Sequence, residues 1–126
     1  MKRIIFAAAF GLLPIAATAP SIAQADDDVT YFCSIDENCS SGTCAVNDPP
    51  FEFQLVHNKA DDIGIVLFGD QSAETIAVRG MGTQDFMQLR DDSSVGFVIR
   101  SATGNLEVRG HGPAGSSLEK GVCKTE

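Results

Sequence analysis

The sequence predicts an all-β fold, a small antiparallel barrel of about eight short strands stapled by disulfides. Three observations predict it. From residue 30 onward, apolar residues recur at every second position in short runs, and Gly, Asn, Asp and Pro punctuate these runs about every ten residues. Period-2 alternation with turn punctuation is the pattern of strands. No stretch of the same region repeats apolar residues at three and four over a helical length. Finally, Cys33, Cys39 and Cys44 crowd the start of the region and Cys123 lies near its end, which is the layout of a cross-linked framework.

The first 25 residues have the composition of an export signal. Met1-Lys2-Arg3 is basic, residues 4–19 are apolar, and Ala23-Gln24-Ala25 offers small residues at the two positions a signal peptidase reads. A cut after Ala19 would leave Pro20 in a poorly accepted position, so cleavage is expected after Ala25. The apolar run is shorter than the roughly 20 residues a membrane helix needs, and Pro14 interrupts it. No membrane anchor is therefore expected after cleavage, and no cysteine follows the run to carry a lipid. The expected division is a signal peptide over 1–25 and one barrel domain over 26–126, with the product periplasmic or secreted. A domain of that length buries a core of its own with a modest margin.

Each element follows from its local pattern. Residues 30–33 form the first run. Pro49-Pro50 forbids regular structure and marks a corner. Residues 51–57 alternate, with Phe51, Phe53 and Leu55 on one face, and residues 58–62 form a polar turn. Residues 63–68 are a more fully apolar run ending at Gly69-Asp70. Residues 70–75 are the best helix candidate of the domain, and residues 74–79 alternate again. Residues 85–90 and 95–100 flank a hairpin turn at Asp91-Asp92-Ser93-Ser94. Residues 106–109 alternate, residues 110–115 read as a loop, and residues 117–124 close the chain. Gly64, Gly96 and Gly121 inside runs suit bulges and bends that let a small sheet curl.

Four cysteines in an exported chain of this size read as two disulfides. The favoured pairing is Cys39–Cys44, across a flexible Ser40-Ser41-Gly42-Thr43 loop, with Cys33–Cys123 tying the first strand to the last. Cys33–Cys39 with Cys44–Cys123 is the competitor. A metal site combining these cysteines with His57 or His111 is disfavoured, because zinc ligands come as close Cys-x2-Cys pairs and these gaps are wider. Neither a metal nor another cofactor is expected.

Charge narrows the partners. The chain carries a net charge of −8, and loss of Lys2 and Arg3 with the signal takes it to −10. Such a surface does not bind nucleic acid through its phosphates, and it attracts cationic proteins. Catalysis is not expected. There is no Gly-x-Ser-x-Gly, phosphate loop or His-Glu-x-x-His, and the pairs Asp61-Asp62 and Asp91-Asp92 sit at turns without calcium-loop spacing. His57 ends an alternating run and reads as structural or exposed. The stretch richest in binding chemistry is residues 93–115, with its serine turn and the polar, glycine-rich segment Arg109-Gly110-His111-Gly112-Pro113-Ala114-Gly115.

Tyr31-Phe32-Cys33, a single late cysteine, and Ser93-Ser94-Val95-Gly96-Phe97 followed by Leu106-Glu107-Val108-Arg109-Gly110-His111-Gly112 together resemble the bacterial C-type lysozyme inhibitors. The resemblance implies an eight-stranded antiparallel barrel whose terminal cysteines are joined, which would be Cys33–Cys123. It also implies a protein partner, a cationic lysozyme, whose catalytic carboxylates meet a serine-containing and a lysine-containing loop. On this reading Ser93 or Ser94 stands for the family serine. His111 falls where the lysine is expected, Arg109 where an aromatic is usual, and Phe97 in place of a tyrosine. The partner-binding residues expected are thus Ser93, Ser94, Arg109 and His111, with Cys39 and Cys44 an addition to the family pattern. The alternative is an envelope interaction module of the same fold without inhibitory activity.

Overall fold

In the computed structural model, which describes residues 28–40 and 42–125, eight strands close into an antiparallel barrel. The expected signal peptide lies outside the described residues. The strands are β1 (Val29–Ser40), β2 (Thr43–Asn58), β3 (Ile63–Phe68), β4 (Gln71–Arg79), β5 (Thr83–Leu89), β6 (Ser94–Arg100), β7 (Asn105–Gly112) and β8 (Gly115–Thr125). Every strand pairs with its neighbours in sequence, and β8 returns to pair with β1. No helix occurs among the described residues.

Alternation sorts the side chains. Cys33, Ile35, Phe53, Leu55, Val66, Phe86, Ile99, Leu106, Val108 and Cys123 point inward and form one buried cluster. Tyr31, Phe68, Ala77, Val95 and Phe97 pack against it. Phe86 and Leu55 are fully buried. Tyr31 meets Phe86 edge-on with ring centres 6.1 Å apart, and Phe53 and Phe97 lie at 5.8 Å, so aromatic pairs pack among the aliphatic side chains of the lumen. Room for Phe86 is made by Gly64, where a methyl group would lie 2.4 Å from the Phe86 ring.

Both expected disulfides form, Cys33–Cys123 and Cys39–Cys44, and no free cysteine is present among the described residues. Each joins residues directly opposite in a ladder, Cys33 across the β1–β8 seam and Cys39 across the β1–β2 hairpin. This cysteine usage belongs to an oxidising compartment.

Three local expectations are corrected. Residues 70–75, the best helix candidate, turn at Gly69 (φ +61°) and enter β4, because the apolar edge of β3 offers residues 71–76 a complete ladder. A short segment gains more from that pairing than from an isolated helical turn. Residues 110–115 are not a loop. β7 runs to Gly112, β8 begins at Gly115, and only Pro113-Ala114 turns. The first two strands extend well beyond the runs expected for them, as a ribbon to Ser40 and Thr43. That longer β2 runs through Pro49-Pro50, where regular structure was expected to be forbidden, and the prolines mark only a break in its pairing. Ile35 faces Phe51 and Glu37 faces Val46, so Asp36 alone stands opposite residues 47–50, and the Asp48–Pro49 bond is cis. The Asn47 side-chain amide donates to the Ile35 carbonyl at 3.3 Å and bridges the gap.

Candidate functional site

The up-and-down order puts the turns after β1, β3, β5 and β7 at one end of the barrel. The expected site residues collect there. Ser94 is directly opposite His111 in the β6–β7 ladder, and His111 is opposite Ser116 in the β7–β8 ladder. Ser116 Oγ lies 3.0 Å from His111 Nδ1. Ser93 belongs to the turn closed by the Arg90 amide, which donates to the Ser93 carbonyl at 2.9 Å. Its Cβ lies 3.6 Å from where a methyl on Gly112 would sit, so Gly112 keeps the two hairpin ends close. The outcome is a strip Ser94–His111–Ser116 across three strands with Ser93 beside it.

Arg109 shares the outward face of β7 with His111 but is committed elsewhere. Its Nε donates to Glu107 Oε1 at 3.0 Å, and Nη2 contacts the same oxygen. Arg109's hydrogen bond holds the Glu107 carboxyl below its ordinary value, partly opposed by burial and helped by the charges of Arg109, Arg100 and Lys120. The pair is solvent-exposed, and such pairs contribute about 1 kcal/mol or less. A ligand carboxylate that engaged Arg109 would have to compete with Glu107. The structure thus brings together Ser93, Ser94 and His111, and sets Arg109 one row away in an ion pair.

Ser116 was missed by sequence reasoning. The signal for it is register. Once Pro113-Ala114 is taken as the whole turn, counting outward places Ser116 opposite His111. Reading residues 110–115 as a loop hid that count.

His57 is inside the barrel at the opposite end, 5 % exposed, with its ring edge-on to Phe86 at 5.2 Å. Its Nε2 is buried without a hydrogen-bond partner. Burial first, then Lys59 and Arg79, push its pKa below the ordinary histidine value, while Asp62 and Asp28 oppose the shift. A neutral folded imidazole means that the unfolded chain binds more protons once the pH drops below the ordinary histidine range. Stability is therefore expected to be flat above about pH 6.5 and to fall as the pH drops from there towards the lowered folded pKa. Urea midpoints at pH 7.5 and pH 5 check this. The wild type should lose more than His57→Gln between the two, and equal losses would refute the assignment.

Glu37, Cys39 and Cys44 place potential ligand atoms within 4.8 Å of one another, but the Cys39–Cys44 bond takes both sulfurs out of thiolate chemistry. A surface groove of 630 Å³ crosses the outside of β8, β1, β2 and β3, with Phe32, Leu67 and Val122 among its lining and Glu52 and Lys124 contributing charge.

In comparisons with known proteins, no family model, curated protein or solved structure matches the chain.

Proposed function

We propose that this is an exported, non-enzymatic protein that binds a protein partner through the Ser93, Ser94 and His111 end of its barrel, and that the partner is a C-type lysozyme whose cleft it blocks. The observation carrying this reading is the convergence of half-buried Ser94 with exposed His111 and Ser116 in one strip at the end of a disulfide-closed, eight-stranded barrel. That is the architecture the sequence resemblance implies, and the strip offers donors suited to a carboxylate. Imidazole and hydroxyl groups can each donate to a carboxylate oxygen, and hydrogen bonds to a charged acceptor are the stronger kind. Ser116 orients the imidazole by engaging Nδ1, which leaves Nε2 for the partner. The acidic net charge, −8 over the whole chain and more negative without Lys2 and Arg3, speeds encounter with a cationic lysozyme. Export to the periplasm or beyond belongs to the same reading, supported by the two disulfides and the composition of residues 1–25.

A turbidity assay of lysozyme acting on bacterial cell walls tests it. The protein at micromolar concentration is expected to slow clearing, and His111→Ala to weaken inhibition by about tenfold, the loss of one charge-assisted hydrogen bond. Absence of inhibition against a panel of C-type lysozymes refutes the lysozyme assignment. Inhibition unaffected by His111→Ala and by Ser94→Ala refutes the strip.

A further inference from the structure

We infer that the outer edge of β2 over residues 43–47 is a strand-docking site for an extended, cationic segment of a partner protein. β2 begins at Thr43, yet β3 pairs with it only from Gln54 to Asn58. Among the described residues, no ladder pairs with the other side of its first half, so this edge stays open. The hairpin closes on Ser40 opposite Thr43. In the alternation of an antiparallel ladder, Thr43 and Ala45 then direct their backbone groups to β1, and Cys44 and Val46 direct theirs outward. An unpaired edge of this kind is a template for another chain.

Three features make it a bounded site. The Cys39–Cys44 bond fixes the two strands at the base of the edge, so little ordering is left for binding to impose. Pro49 and Pro50 supply no amide hydrogen and sit where pairing with β1 is broken. They limit docking to a few residues and restrain open-ended aggregation. Val46 is 75 % exposed, giving an added strand an apolar side chain to cover.

Charge selects the occupant. No lysine or arginine occurs between Arg3 and Lys59, so β1 and β2 are without a cationic side chain; Glu37 stands opposite Val46 and Asp48 follows the edge, with Lys120 facing Glu37 from the far side of β1. A second copy would bring the same acids to the same edge and be repelled. A segment with alternating lysine or arginine would find backbone partners and opposite charge together. The edge shares its barrel end with the His111 strip but uses none of its residues, and the inference does not depend on that reading.

The test uses a short peptide of alternating lysine and valine, its glutamate counterpart, and a lysine peptide N-methylated at alternate amides. Binding is followed by fluorescence anisotropy at low salt. The lysine peptide is expected to bind, to protect the Cys44 and Val46 amides from hydrogen exchange, and to bind about tenfold more tightly than the N-methylated form. Val46→Pro removes an outward amide that no internal bond uses, and should weaken binding similarly while leaving the melting temperature near wild type. Equal binding of the glutamate peptide, insensitivity to N-methylation, or protection located elsewhere would each overturn the site. So would a monomer–dimer equilibrium in sedimentation that Val46→Pro abolishes, since the edge would then serve a second copy. Peptide binding retained by His111→Ala keeps this result separate from the lysozyme assay.

Discussion

Replacing Cys33 and Cys123 together by alanine is expected to destabilise the protein by about 4–5 kcal/mol on the chain-entropy account of cross-links. Small domains have a total stability of only about 5–15 kcal/mol, so the variant should be close to unfolding in mild urea. The seam explains the size. Seven of the eight ladders join strands consecutive in sequence, and short turns bring those strands together. The β1–β8 ladder alone must bring together residues 90 apart, and Cys33–Cys123 lies directly on it. Loop closure there carries the largest entropic cost in the fold. Both cysteines are also buried in the core, so lost packing adds to lost entropy. The Cys39–Cys44 bond closes a separation of only 5 residues, and the same account assigns it about 2 kcal/mol. Urea midpoints of the two double variants decide the matter. If removing the short bond cost as much as removing the long one, closure of the seam would not be the controlling term.

Gly121→Ala is expected to cost about 3 kcal/mol, at the upper end of what overpacking ordinarily imposes. Gly121 pairs with Ile35 where the β1 register shifts, and a methyl group on it would lie 1.8 Å from the Ser34 carbonyl oxygen and 2.9 Å from the Ile35 Cα. Those atoms are backbone, and relief requires the β1–β8 seam itself to open. Gly96→Ala is the control. Its added methyl meets only the Met87 side chain, at 3.1 Å from the sulfur, and a flexible thioether can move aside. Thermal melts should therefore show a large drop for position 121 and a small one for position 96. Equal small drops would mean that the seam is more pliant than its close packing implies.

Both variants act on the feature that local sequence could least specify. Alternation made each strand from residue 51 onward legible, since the side-chain period of two survives in Phe51, Phe53 and Leu55 and again in Val95, Phe97 and Ile99. The two disulfide pairings were favoured from spacing and chain order, and both are present. Residues 70–75 misled because a short polar segment has no periodicity of its own, and the paired edge of β3 chose strand for it. The loop reading of residues 110–115 gave glycine and proline too much weight as punctuation. All three glycines there sit within a ladder, and only Pro113-Ala114 turns.

The candidate site divides in the same way. Its serines and His111 were identifiable as polar groups near a hairpin, but which of them meet depends on register, and register is a property of paired strands. Ser116 became visible only when β8 lay against β7. Arg109 lost its expected freedom to Glu107, two residues away on the same face. By itself, then, the sequence determined most of the strand content and the acidic composition, gave the inward faces of β2 and β6, and favoured the cysteine pairing, because each follows from local period, composition or count; in β4 it did not, since Thr75 is buried while Ile76 and Val78 face out. Only the tertiary structure decided barrel closure at Gly121, the buried place of His57, the Ser94–His111–Ser116 strip and the open edge of β2. Each of these depends on which strands lie side by side, and that is settled by packing between residues distant in the chain.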